Sequence, residues 1–172
     1  MRNFFVIRDV DFCRIPEVKK CFDVAQNNPH HCYNVGEHML QSAMYAASDS
    51  SPNDIEVAAM MLHDIGKVVS KTTDEEGTDH FYGHAKESAK MAKEILDRIG
   101  IFSEKEKKDI IFLIKYHMFN FNKNNIENFK KDVPKELLQS LARIKTYDIL
   151  AQSMYMRGEK IAKVEQFEKL IE

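Results

Sequence analysis

Histidines and aspartates interrupt the apolar faces of successive predicted helices, and this pattern constrains the fold most. In one such helix, His38 shares a face with Val35, Met39 and Ala43 at helical spacing. A buried carboxylate without a partner costs several kcal/mol, on the order of its desolvation penalty. These polar side chains therefore need a common partner in the core. The polar positions on five such helices are His38, His63, Asp64, His84, His117 and Asp148.

Helical periodicity dominates the chain, and period-two alternation does not emerge. We therefore predict an all-α helical bundle without a sheet. Breaks are predicted around residues 27–29, and loops at 72–79 and about 120–128, the latter with at most a short helical turn. The first predicted helix follows Pro16. Further helices are predicted at about 34–48, 51–64, 83–99, 103–117 and 134 to beyond 148, and Gly158 is expected to separate a last amphipathic segment.

Local end signals support these bounds. Ser51-Pro52 resembles an N-cap followed by the first helical residue, and Ser103 with Glu106 forms a predicted capping box. Gly100 is expected to end the helix that precedes this box.

Length, charge and cysteines narrow the class of protein. A chain of 172 residues suits one domain, 1–172, with its core at about 26–150. The net charge of −2 argues against binding nucleic acid or an anionic membrane through global charge. Three cysteines without a CxxC pair argue against a disulfide framework and favour a location in the reducing cytoplasm. No apolar run is long enough for a membrane span, and residues 1–12 lack a signal-peptide core.

A divalent metal would satisfy the buried histidines and aspartates together, because neutral imidazole and carboxylate both bind such ions. Four neutral histidines and two aspartates carry −2, so two ions would leave about +2 to attract a phosphate ester. Taken singly, each residue has an ordinary explanation. A buried histidine is usually a satisfied core residue, Asp148 could pair with Lys145, and His63 could suit a helix C-terminus. The joint pattern favours metal.

The order His, His-Asp, His, His, Asp resembles that of the HD-domain superfamily of metal-dependent phosphohydrolases. The segment 62–67, Leu-His-Asp-Ile-Gly-Lys, resembles the most recognisable stretch of that family. Segments 26–31, with Glu37-His38, and 71–84 resemble the HD domain attached to bacterial CCA-adding tRNA nucleotidyltransferases. The resemblance covers about residues 26–150. The upstream residues are too few for a nucleotidyltransferase head, so we expect no polymerisation by this chain.

This resemblance implies a phosphatase or phosphodiesterase that hydrolyses a small nucleotide by a metal-activated hydroxide. Relatives with both middle histidines hold two metals, so a binuclear centre is expected, although one ion stays an alternative. Asp64 would bridge, with His38, His63 and Asp148 on one ion and His84 and His117 on the other. Such ligands suit Fe, Mn, Ni, Co or Zn, and the sequence does not choose among them.

Three further side chains are candidates for contact with the substrate. Lys67 is expected to hold the phosphate, the ordinary alternative being a solvated lysine after a helix end. His31, or its neighbour His30, could protonate the leaving oxygen, the alternative being a surface histidine. His80 could bind substrate or replace His84 as a metal ligand, but His84 is preferred because it continues an apolar stripe.

Two other functions fit the same features. One is a catalytically silent, nucleotide-sensing or regulatory module that binds metal without turnover. The intact ligand set and Lys67 count against it. The other is an RNA-binding accessory domain, which the absence of a basic stripe disfavours. The expected partner is a small phosphate-containing substrate, most simply a nucleotide, and the sequence leaves the oligomeric state open.

Overall fold

The fold is that of a computed structural model, described for residues 6–172, and residues 1–5 of the predicted domain lie outside the described residues. Helices dominate, which confirms the all-α class. Their bounds are α1 (Pro16–Cys21), α2 (Val35–Ala47), α3 (Asp54–Leu62), α4 (Lys67–Ser70), α5 (His84–Ile99), α6 (Glu104–Tyr116), α7 (Lys123–Asp132), α8 (Lys135–Leu150) and α9 (Arg157–Ile171). A 3₁₀ turn, Phe12–Arg14, precedes α1.

Two very short hairpins correct the prediction that no strands form. Strand β1 (Val6–Ile7) pairs antiparallel with β2 (Val10–Asp11), and β3 (Thr72–Thr73) pairs antiparallel with β4 (Asp79–His80). Strands of two residues are too short for alternation to appear in the sequence. The Asn27 N–H donates to the Asp79 carboxylate and holds the second hairpin against the body of the protein, while Thr73 Oγ1 donates to the same carboxylate within the hairpin.

Helix α3 is the centre of the bundle. All its residues from Glu56 to Leu62 are buried, and it packs against α2, α6 and α8. A helix buried on all sides belongs to the middle of a core. His63 and Asp64 directly follow its last turn, so both side chains lie in the interior of the bundle.

Several predicted helix ends are confirmed. Asn34 and Glu37 form a capping box at the start of α2, and Ser103 and Glu106 form the predicted one at α6. Gly100 ends α5 with a φ of 66°, a left-handed conformation that glycine adopts without steric cost.

Other bounds differ from the prediction. Helix α3 starts at Asp54, not after Ser51, because the Asn53 side chain accepts the hydrogen bond from the Ile55 N–H. Helix α7 occupies much of the predicted loop 120–128, and Asn122 with Asn125 forms its capping box. The short α4, which begins at Lys67, was not predicted.

Close packing at Gly66 fixes how α5 meets the end of α3. The Gly66 N–H donates to Ser88 Oγ at 2.9 Å, and a Cβ here would lie 2.5 Å from Ser88 N and 2.6 Å from His84 O. We expect Gly66→Ala to destabilise the protein by about 1–3 kcal/mol, because backbone atoms must move apart. Denaturant unfolding would measure this loss. Gly158→Ala is the matched control, since its Cβ would meet nothing within 4 Å. An equal effect of the two substitutions would contradict this account.

Candidate metal centre

The four inward histidines are oriented in the same way, each with Nδ1 against a backbone carbonyl. His63, His84 and His117 each reach back to the carbonyl three residues earlier, whereas His38 reaches across to the chain after α8. This arrangement places the Nδ1 proton on the carbonyl side and leaves the Nε2 lone pair facing inward. The four contacts are His38–Ala151 at 3.3 Å, His63–Met60 at 2.8 Å, His84–Phe81 at 2.7 Å and His117–Ile114 at 2.7 Å.

The Asp64 carboxylate lies between two pairs of histidines. Its Oδ2 is 3.3 Å from His38 Nε2 and 3.4 Å from His63 Nε2. Its Oδ1 is 3.1 Å from His84 Nε2 and 3.6 Å from His117 Nε2. One oxygen thus faces each pair, which is the arrangement that a bridging carboxylate requires.

Asp148 completes the first pair from α8. Its Oδ1 lies 2.9 Å from His38 Nε2 and 3.7 Å from His63 Nε2. The same oxygen accepts a hydrogen bond of 3.0 Å from Gln152 Nε2. The predicted alternative, an ion pair with Lys145, is not formed, because Lys145 Nζ donates to the carbonyls of His117 and Phe119 instead.

The spacing of these atoms fits divalent cations. Nε2 of His38 and Nε2 of His63 are 3.2 Å apart, and the same atoms of His84 and His117 are 3.3 Å apart. Two facing lone pairs at this distance need a proton or a cation between them. Two nitrogens bound tetrahedrally to one ion at about 2.0–2.1 Å lie about 3.3–3.4 Å apart.

Two further observations agree with metal binding. Asp64 Oδ1 is buried, and no donor among residues 6–172 hydrogen-bonds to it. A buried carboxylate oxygen without a donor is expected where a metal binds. In addition, two groups of three residues have ligand atoms within 4.8 Å of one another: His38, His63 and Asp148, and His63, Asp64 and His117.

Charge in the centre without metal is balanced by protonation of His63. Burial lowers the pKa of this ring, but the charges of Asp64 and Asp148 more than offset that effect and raise the pKa to about 10. Burial raises the pKa of Asp64, yet His63 and Lys67 hold it well below its usual range. Burial lowers the pKa of His117. A metal ion bound at the first histidine pair would therefore displace this proton.

The His63 proton sets an expected pH dependence. Its pKa is 6.5 in an exposed chain and about 10 in the folded one, so the folded state keeps a proton that the unfolded state releases. With respect to this group alone, metal-free protein keeps its full stability below pH 6.5. It should lose at most about 1.4 kcal/mol per pH unit as pH rises toward that folded value. Metal affinity should instead increase, because the proton no longer competes.

Thermal melting at several pH values above 7, with chelator and with Mn²⁺, would measure both trends. The stabilisation due to metal should widen as pH rises. A metal-free melting temperature that increases over this range would contradict the protonation of His63.

A cleft of about 480 Å³ opens over the centre, and Lys67 lies at its floor. Its side chain is only 5% exposed, and Nζ lies 2.7 Å from Asp64 Oδ2. Gln26 Oε1 accepts a second hydrogen bond from Nζ at 2.7 Å. This burial rules out the alternative of a solvated lysine beyond a helix end.

His31 and His80, the other predicted substrate residues, line the same cleft but differ in their contacts. His31 Nε2 is 3.5 Å from Lys67 Nζ, and its Nδ1 is buried without a hydrogen-bond partner among the described residues. Burial, together with the Lys67 charge, lowers the His31 pKa to about 2, so the ring is neutral. His80 lies on the cleft wall, but its Nε2 pairs with Asp74 at 2.8 Å. His84, not His80, therefore contacts Asp64.

Two polar residues of the site were not identified from the sequence. Gln26 holds Lys67, and Gln152 holds Asp148. Neither lies on a periodic apolar stripe, so no local pattern distinguishes them from surface glutamines. Only the neighbourhood of Gln26, the segment 26–31 with its family resemblance, offered a signal.

Comparison with known protein families identifies the family of the chain. The sequence model of the HD domain matches residues 30–165, which include the four inward histidines, Asp64 and Asp148. No curated protein matched the chain. Among the helices that the structure describes, none has both the length and the apolar character needed to cross a bilayer.

Proposed function

We propose that this chain, which belongs to the HD domain family, is a metal-dependent phosphohydrolase that cleaves a phosphomonoester or phosphodiester of a small nucleotide. One observation carries the proposal: Asp64 presents one carboxylate oxygen to each of two histidine pairs. The choice of a nucleotide as substrate rests on the sequence resemblance to the HD domains of CCA-adding enzymes. The three free cysteines fit a cytoplasmic location.

Each ligand has a proposed place. His38, His63 and Asp148 would hold one ion, His84 and His117 would hold the other, and Asp64 would serve both. The centre contains histidine and carboxylate without thiolate, which suits Fe, Mn, Ni, Co or Zn. When bound, such ions supply a water of lowered pKa and offset negative charge on the phosphoryl oxygens.

The protein's own side chains bind and orient the substrate. Lys67 is held by Asp64 and Gln26 at the floor of the cleft, so its ammonium meets a phosphoryl oxygen with little loss of side-chain freedom. His31 lies beside it as a neutral ring, and a bound dianion would favour protonation of this ring. We assign the proton transfer to the leaving oxygen to His31.

A hydrolysis screen tests the function, with the products separated by anion-exchange chromatography because cleavage of a phosphodiester releases no inorganic phosphate. Purified protein would be loaded with Mn²⁺, Fe²⁺, Co²⁺, Ni²⁺ or Zn²⁺ and incubated with mononucleotides, 2′,3′-cyclic nucleotides and dinucleoside polyphosphates. We expect at least one class to be hydrolysed with metal and to be untouched after chelation. Metal-loaded protein that binds nucleotides and hydrolyses none of these substrates would instead be a nucleotide-sensing module.

A further inference from the structure

A second, smaller pocket of about 280 Å³ adjoins the metal centre and has a different character. His117 and Asp148 line it, and both also line the main cleft. Gln152 and Lys160 are shared by the two spaces in the same way. A ligand with its phosphate over Asp64 can therefore extend into this side pocket without leaving the protein surface.

Aromatic rings form much of the side-pocket wall. Phe119, Phe121 and Phe167 line it together with Val164. Phe121 stacks on Phe167 with ring centres 4.5 Å apart, and Phe119 is 39% exposed. The aromatic part of the wall offers no partner for the hydroxyl groups of a sugar or the oxygens of a phosphate, while Asn120 and Lys163 line the pocket beside it. The aromatic part suits a flat, weakly polar ring, which gains from stacking on an aromatic side chain.

The side pocket is held in shape before any ligand binds. Lys145 Nζ donates to the backbone carbonyls of His117 and Phe119, and its ammonium lies 5.7 Å from the centre of the Phe121 ring. These bonds tie the chain that leaves α6 to α8. A preformed pocket loses little entropy on binding, as expected for a small-molecule site.

A cation lies where the two spaces meet. Lys160, on α9, donates a hydrogen bond of 2.6 Å to Gln152 Oε1, and Gln152 in turn donates to Asp148. Lys163 lines the side pocket one turn further along the helix. Positive charge at this junction complements a group that carries oxygen atoms between its ring and its reacting phosphate.

We infer that the side pocket binds the nucleobase of the substrate, with Lys160 beside the ribose-phosphate link. The inference rests on the proposed phosphohydrolase and deepens it. The enzyme then prefers nucleotides to sugar phosphates that carry the same phosphate without a base.

Calorimetric titration of Mn²⁺-loaded protein tests this subsite without turnover. The probes are the 5′-methylenephosphonate analogues of AMP and of ribose 5-phosphate, which share a P–C bond that cannot be hydrolysed. Stacking in the side pocket should make the adenosine analogue bind about 5- to 150-fold more tightly. Phe119→Ala should remove most of this difference and leave binding of the ribose analogue unchanged.

Two matched variants make the result specific. Phe112→Ala removes a ring that contacts Tyr116 in the same aromatic cluster but does not line the side pocket, so the preference should persist. Tyr82→Ala removes an exposed ring that stacks on His80 and lines the main cleft but not the side pocket. Equal binding of the two analogues by wild type would overturn the inference. A preference lost in Tyr82→Ala but kept in Phe119→Ala would also overturn it. Neither outcome bears on hydrolysis, which the substrate screen measures separately.

Discussion

Replacing Asp64 by alanine should abolish hydrolysis and deplete the protein of metal. Among the proposed ligands, Asp64 alone faces both histidine pairs, so its loss should affect both proposed ions. Removing a single group that stabilises the transition state electrostatically costs about 10²- to 10³-fold, and losing the centre should cost more. Metal analysis by plasma mass spectrometry and a hydrolysis assay on the same sample would measure both effects.

The controls separate lost chemistry from lost folding. Asp64→Ala leaves the buried Lys67 ammonium without its carboxylate, and breaking such a pair costs about 3–5 kcal/mol. Asp64→Asn keeps an oxygen for Lys67 but not the negative charge, so it should fold and still be inactive. Asp97→Ala, which removes an exposed carboxylate from α5, should keep metal and activity. An active Asp64→Asn enzyme would contradict the shared-ligand role.

Lys67→Ala should reduce kcat/KM by about 10- to 150-fold while metal content stays unchanged. The loss corresponds to roughly 1.5–3 kcal/mol, the value of one charge-assisted hydrogen bond to phosphate. The Lys67 ammonium competes with metal ions for Asp64, because its Nζ lies 2.7 Å from Oδ2. Removing it should therefore not reduce the metal content. Steady-state kinetics and metal analysis on the same preparation would measure the split.

Lys67→Met is the companion variant, because it fills the buried space of the lysine stem without the charge. It should match Lys67→Ala in activity and exceed it in stability. Lys90→Ala, an exposed position on α5, should behave as wild type. Full activity in Lys67→Met would show that Lys67 is a structural cation that neutralises Asp64 and does not bind phosphate.

The central features of the site were readable from the sequence because they depend on local periodicity. The run of apolar residues in α3 makes it a buried helix, and that places His63 and Asp64 in the core. Asp148 lies on an inner stripe of α8, and its approach to His63 follows from the same rule. Which residues face inward is therefore a property of each helix by itself.

The features that were missed depend on contacts between distant segments or on unusual end signals. Gln26 and Lys67 meet across 41 positions of the chain, which no local pattern reveals. Helix α7 is capped by Asn122 and Asn125 within a polar stretch, so composition favoured a loop. The side pocket arises where α9 returns to the end of α6, and its walls can be recognised only once these elements are packed.

A metal titration with parallel assay tests the central claim most directly. Chelated protein would receive Mn²⁺ in steps, and bound metal per chain and hydrolysis of the best substrate of the screen would be measured at every step. The account predicts no hydrolysis without metal and activity that rises with occupancy until two ions are bound per chain. Activity that is complete at one ion would contradict the binuclear centre. Protein that takes up metal fully and hydrolyses nothing would contradict the phosphohydrolase itself.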